Sequence, residues 1–285
     1  MSIQKPIRKS SARALLATAF TLFASTGVAQ AQSFVPAPGS PYSSVPVTKT
    51  GRVVAVGDFN NDGRLDFATA NANTAAAGLT VYLQNANGSF TSPPGGRYTT
   101  GVPVSAFSIT VADLDLDGNL DVIVGGASGF GIGFGDGKGN FTFPAPVHSN
   151  PDTASKHVVG DFNGDGTPDI VVINAGTGPQ PAGGFGLFLG QGNRQFDNPT
   201  FFVEEGAYDL AAGDVNGDGK LDLVELRLNN TVAVLLGNGA GGFSYAGPVA
   251  GFSSRGANST SLKLADYNGD GKKDVLILSS LAGVY

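Results

Sequence analysis

The chain has 285 residues, 41% of them hydrophobic and only 14% charged, with a net charge of −6. That balance is too apolar for a disordered chain and too acidic for a nucleic-acid face, so no nucleic-acid partner is expected. Cys is absent and His occurs twice, which removes disulfides, thiolate chemistry and a multi-histidine zinc site, while 43 glycines without a period of three point to many tight turns.

The N-terminus reads as a targeting segment. Lys5, Arg8, Lys9 and Arg13 precede an apolar run, Ala14–Ala24, that ends at Ala29-Gln30-Ala31. This is the three-part pattern of a secretory signal peptide, with cleavage expected after Ala31. The run is shorter than the roughly 20 residues of a membrane span, and none is expected elsewhere. Residues 1–31 are thus assigned to the signal and 32–285 to the mature domain, secreted or periplasmic. Cleavage removes four basic residues and no acidic ones, taking the net charge from −6 to −10.

After residue 31 the chain repeats itself. Gln32–Pro38 resembles Gly88–Pro94 and reads as an outer strand with no unit before it. A nine-residue loop then recurs five times, as Asp58–Asp66, Asp113–Asp121, Asp161–Asp169, Asp214–Asp222 and Asp266–Asp274, with first aspartates 55, 48, 53 and 52 residues apart. A short apolar strand enters each loop, as at Val53–Val56, and a second leaves it, as at Val122–Val124 or Ile170–Ile173. A third follows, as at Leu79–Leu83, Phe185–Leu189 and Val232–Leu236, and runs into a Gly/Asn turn ending at Phe90, Phe141 or Phe243. Prolines after each Phe place the fourth strand at a sheet edge, because proline cannot donate to a ladder. Four strands per unit of about 52 residues predict an all-β chain, a β-propeller of about five four-stranded blades. The last unit stops inside its third strand. Residues 34–50 are expected either to complete that blade and close a five-bladed ring, or to belong to a fragment of a larger propeller.

The repeated loop has the donor order of a calcium site. In an EF-hand loop, positions 1, 3 and 5 supply side-chain oxygens, position 7 a carbonyl, and Gly at 6 makes the turn. Here Asp58, Asn60 and Asp62 take positions 1, 3 and 5, and Arg64 offers its carbonyl. Asp66 at position 9 closes the set, because the glutamate that ends an EF-hand loop has no counterpart. The same roles fall to Asp113, Asp115, Asp117, Asn119 and Asp121; to Asp161, Asn163, Asp165, Thr167 and Asp169; to Asp214, Asn216, Asp218, Lys220 and Asp222; and to Asp266, Asn268, Asp270, Lys272 and Asp274. The loops hold 16 of the 23 acidic residues, which a generic acidic surface would scatter. Converging carboxylates without a cation repel, so up to five Ca²⁺ ions are expected, in a mainly structural role.

These loops at blade spacing resemble the FG-GAP and VCBS repeat family, the calcium-loop propellers of integrin α heads and many secreted bacterial proteins. The resemblance covers residues 34–285, although the family's Phe-Gly and Gly-Ala-Pro landmarks are poorly kept. It implies calcium loops on one rim and partner binding on another surface.

No catalytic set is legible. His148 and His157 read as loop or strand-end residues, and Glu204-Glu205 as a solvated edge, so an enzyme is not expected. The variable loops Asn71–Ala77, Gly176–Gly184 and Ser253–Ser259 are small and polar, as recognition loops on a rigid scaffold often are. They point to a binding module for a glycan or protein, acting as a monomer. Tyr98, Phe130, Tyr208 and Phe252 are the aromatic candidates for stacking on a sugar. The alternative is a secreted lectin-like or polysaccharide-active propeller.

Overall fold

The computed structural model describes residues 38–39, 51–71, 78–100, 106–126, 129–144, 154–174, 183–203, 206–227, 229, 231–249, 259–279 and 283–284. The chain divides into two units, Met1–Pro36 and Ala37–Tyr285. The first, with the expected signal segment, lies outside the described residues, as do residues 40–50 of the expected closing strand.

Every described element is a strand. Blade 1 comprises β1 (Gly51–Gly57), β2 (Asp66–Asn71), β3 (Gly78–Gln84), β4 (Phe90–Thr91) and β5 (Arg97–Thr99). Blade 2 comprises β6 (Ala106–Ala112), β7 (Asp121–Gly126), β8 (Gly129–Gly135) and β9 (Phe141–Thr142). Blade 3 comprises β10 (Ala154–Gly160), β11 (Asp169–Asn174), β12 (Phe185–Phe188) and β13 (Thr200–Phe202). Blade 4 comprises β14 (Ala207–Gly213), β15 (Asp222–Arg227), β16 (Val232–Gly237) and β17 (Phe243–Pro248). Blade 5 comprises β18 (Ser259–Ala265), β19 (Asp274–Ser279) and β20 (Gly283–Val284). Each blade is an antiparallel meander in chain order.

Blade 1 departs from the expected four strands. β4 and β5 both pair with β3, at opposite ends of it. They are one outer edge interrupted at Pro93-Pro94-Gly95-Gly96, where two consecutive residues have no N–H to give the ladder.

The first strands of successive blades lie side by side, β1 against β6, β6 against β10, β10 against β14 and β14 against β18. Together they line a channel of about 570 Å³. Side-chain alternation then sends each strand's two faces to different neighbours. In β7, Val122 and Val124 pack toward blade 1 while Ile123 packs toward blade 3; in β11, Ile170 and Val172 face blade 2 while Val171 and Ile173 face blade 4. Middle strands buried on both faces explain the continuous apolar runs in the sequence. Four apolar layers result, one at each blade junction.

The two terminal faces differ from the junctions between blades. Val54, Val56 and Leu65 of blade 1 are more than half exposed, whereas Ile109 and Val111, the equivalents of Val54 and Val56 in blade 2, pack against the preceding blade. On the other side of the molecule Tyr267 and Leu278 of blade 5 are also exposed, where Phe59 and Leu226 are buried by the following blade.

Candidate metal loops

All five loops sit between the first and second strands of a blade and share one hydrogen-bond scheme. At position 1, Asp58 accepts the amide of Asp62 on Oδ1 (3.0 Å) and that of Gly63 on Oδ2 (2.8 Å). Asp113, Asp161, Asp214 and Asp266 accept the same two amides in their own loops. At position 3, Oδ1 of Asn60, Asp115, Asn163, Asn216 and Asn268 accepts the position-5 amide. At position 5, Asp62, Asp117, Asp165, Asp218 and Asp270 accept the position-7 amide. The turn needs Gly at position 6, where φ is 82 to 86° in all five loops, a conformation that costs other L-residues steric strain.

Position 9 has a second task that the sequence did not disclose. Asp66 accepts the amide of Phe59 on Oδ2 (2.9 Å) and that of Gln84, at the end of β3, on Oδ1 (2.7 Å). Asp121, Asp169 and Asp222 do the same with Leu114 and Gly135, Phe162 and Gly190, and Val215 and Gly237. These four carboxylates are fully buried and tie loop, second strand and third strand together. In blade 5, Asp274 keeps the bond from Tyr267. A carboxylate has about four lone-pair sites, so two amides leave acceptor capacity.

Burial pushes the carboxyl of Asp121 up to about 6, against two backbone amides that lower it, and raises Asp66 and Asp169 for the same reason. The partly exposed Asp214 and the exposed Asp266 lie below the ordinary range because the Gly219 and Gly271 amides hold their ionised forms.

The donor set suits a hard cation. Asp113, Asp115 and Asp117 each bring an oxygen within 4.8 Å of the others. Calcium takes oxygens at about 2.4 Å, so ligand pairs up to about 5 Å apart can share one ion. Two of the position-7 residues, expected to contribute only their backbone carbonyls, also act as local cations: Arg64 pairs with Asp62, and Lys220 with Asp218 at 3.8 Å.

Adjacent blades meet at these loops. The turn between the third and fourth strands of one blade rests on the loop of the blade before it. The Gly139 amide donates to the Phe59 carbonyl (2.9 Å), and the Gly241 amide to the Phe162 carbonyl (3.0 Å). Asn61 donates to Asn119 across the first junction at 2.8 Å.

The other candidates fare differently. Phe130 is 1% exposed and packs edge-on against Phe188, and Tyr98 packs edge-on against Phe141, so both are inter-blade packing rather than sugar platforms. His157 is neither a loop nor a strand-end residue: it lies within β10, buried, with Nδ1 3.2 Å from Ser108 Oγ. Burial pulls its pKa down to about 3, so it is neutral. His148, Glu204, Glu205, Phe252 and the side chain of Tyr208 lie outside the described residues, as do most of the three variable loops. A buried pair that composition could not reveal, Glu225 and Arg227 at 3.2 Å, lies in β15.

The FG-GAP-like repeat matches this sequence three times, at residues 58–124, 113–172 and 214–277, each match beginning on the first aspartate of a loop. This chain belongs to the FG-GAP-like repeat family. No curated protein matches the FG-GAP chain. Among solved structures it is similar to an Agrocybe aegerita lectin, described for specific recognition of non-reducing terminal N-acetylglucosamine, with a TM-score of 0.56 and 20% identity over 81% of this chain. The FG-GAP chain spans 61% of that lectin's length. The V. cholerae biofilm matrix protein Bap1 is similar with a TM-score of 0.45 and 18% identity, over 79% of this chain and 34% of Bap1. At such identities the lectin likeness speaks for the propeller fold alone. Among the described residues no helix is long and apolar enough to cross a membrane.

Proposed function

We propose that this FG-GAP protein is an exported, calcium-stabilised propeller that serves as a binding module for a glycan or protein partner. The observation that carries the calcium reading is the repetition of one acceptor cage at every blade. Each loop turns its carboxylates inward on a scaffold of its own amides, and each cage sits at the foot of a blade. Asp, Asn and backbone carbonyl oxygens would hold Ca²⁺, which would supply positive charge between the strand that enters the loop and the strand that leaves it. Calcium is structural in this reading because every blade carries a loop, whereas a sensor needs only one or two.

A rigid scaffold with small polar loops supports binding rather than turnover, and the lectin's recognition of a terminal sugar supports a glycan as the first ligand class to test. Export rests on the N-terminal pattern alone. The experiment has two arms. Melting in calcium and in excess chelator should differ by many degrees, since each occupied site contributes about 2.7 kcal/mol at a hundredfold excess over Kd; coincident curves remove the calcium reading. A glycan array probed with the calcium-loaded protein should show binding to a restricted set of sugars, and a blank array shifts the ligand to a protein.

A further inference from the structure

Loop 2 differs from the other four in two ways that meet at one residue. At position 3 it has Asp115 where the others have Asn60, Asn163, Asn216 and Asn268. In loops 1, 3 and 5 that Asn also donates its side-chain amide to the position-5 aspartate, at 2.7, 2.7 and 3.2 Å. Asp115 has no such donor, and it brings loop 2 to four carboxylates where the others have three.

The missing donor arrives from the next blade. Arg194, in the turn of blade 3, donates from Nε to Asp115 Oδ2 at 2.6 Å and from Nη2 to Asp117 Oδ2 at 3.4 Å. Its guanidinium lies over the Phe134 ring of blade 2 at 5.0 Å. Arg194 also occupies a glycine's place. Counting from Gly135, Gly190 and Gly237, which open the turns of blades 2, 3 and 4, it is equivalent to Gly139 and Gly241, whose amides dock on the preceding loop. Those glycines have φ of 85° and 76°, and Arg194 keeps the left-handed backbone at 66° despite its Cβ. A side chain on that backbone costs steric strain, which the contacts of Arg194 to Asp115, Asp117 and Phe134 offset.

We propose that Arg194 is a resident counter-ion of loop 2, supplied by blade 3, which replaces the position-3 asparagine and holds this junction together without calcium. The idea rests on the calcium reading of the loops and deepens it. Loop 2 carries an extra negative charge and has Asn119 at position 7, where loops 1 and 4 place the cations Arg64 and Lys220; Arg194 supplies the positive charge from outside, so the calcium-free form is less repelled than four bare carboxylates would be. Calcium then gains less from entering loop 2 than it would if Arg194 were absent.

Arg194→Gly separates this role from plain packing, because glycine is what the neighbouring turns use and relieves the backbone strain. The melting temperature of the full chain is read in calcium and in excess chelator. The expected result is a widened gap: little change or a small rise in calcium, and a clear fall in chelator. Calcium affinity of the tightest-responding site should rise by about tenfold, as removal of one positive charge beside a divalent ion predicts. Adding Asp115→Asn to Arg194→Gly restores the three carboxylates and position-3 asparagine of the other loops and should return the gap to that of the wild type. Equal shifts in both buffers, or no rescue by Asp115→Asn, overturn the proposal. If the wild type itself melts alike in calcium and chelator, the calcium reading fails; a fall on Arg194→Gly with rescue by Asp115→Asn would then still establish the charge clamp.

Discussion

Single residues show where the repeat is well tuned and where it is not. Position 4 of each loop has a positive φ, taken by Gly164, Gly217 and Gly269, by Asn61 at 58°, and by Leu116 at 61°. Leucine has no side-chain hydrogen bond to favour that backbone, and Leu116 is exposed, so little packing offsets the strain. Leu116→Asn should therefore stabilise the protein by about 0.5–1 kcal/mol, read as a rise in Tm in calcium. The buried aspartates give a pH dependence. In the calcium-free protein Asp121 holds its proton up to about 6, while the unfolded chain releases it near the ordinary 3.8. Between those values the folded state binds more protons, so acidification favours it and rising pH removes that advantage. Calcium needs the ionised form, so protons weaken the loaded state. The calcium-induced rise in Tm should thus shrink from about pH 7 to about pH 5. His157, neutral in the fold with its pKa pulled down to about 3, destabilises the protein below the ordinary 6.5 with or without calcium, so it cancels in that difference.

At the level of elements, the third strand is fastened to the loop through a close backbone approach. A Cβ on Gly237 would stand 2.1 Å from the Leu221 carbonyl oxygen, and Gly135 and Gly190 face the same clash with Leu120 and Pro168. The amides of these glycines are the ones that reach the buried position-9 aspartate. Gly237→Ala must push β16 away from its loop and strain the bond to Asp222, at a cost of about 3 kcal/mol. Gly213→Ala meets only side-chain atoms at 3.6 Å or beyond and should cost less than about 1 kcal/mol. Denaturant melts of the two variants in calcium provide the comparison. The glycine-rich turns that looked like ordinary hairpins are thus also part of the loop's support.

Across the whole molecule, the exposed faces of blades 1 and 5 carry the remaining question of ring closure. Val56 and Val111 hold equivalent places two residues before their loops, yet Val56 is 56% exposed while Val111 packs against blade 1. Val111→Thr buries a hydroxyl in an apolar layer and should cost about 1–2 kcal/mol. Val56→Thr should cost less than about 0.5 kcal/mol if its face is open to water. Equal losses for the two variants would mean that the Val56 face is covered in solution, as a closed ring or a self-associated chain requires.

The sequence by itself determined the repeat, the strand order within a blade and the aspartate-rich loop. Those features are local: a period near 52 residues, alternation of two, and a nine-residue chain segment that folds its amides onto its own carboxylates. It also determined that middle strands are apolar on both faces, since Val122–Val124 and Ile170–Ile173 admit no solvent side. What only the tertiary structure decided depends on residues far apart in the chain. The buried Asp66, Asp121, Asp169 and Asp222 find their second amide at or just past the end of a third strand, 14 to 21 residues away. Tyr98 and Phe130 became inter-blade packing because a neighbouring blade covers them, and His157 went into the interior opposite Ser108 for the same reason. The break of the outer edge of blade 1 into β4 and β5 followed from how Pro93 and Pro94 meet β3. Arg194 reaches its partners across 77 and 79 residues. No sequence period encodes that contact, because it exists only once two blades are side by side.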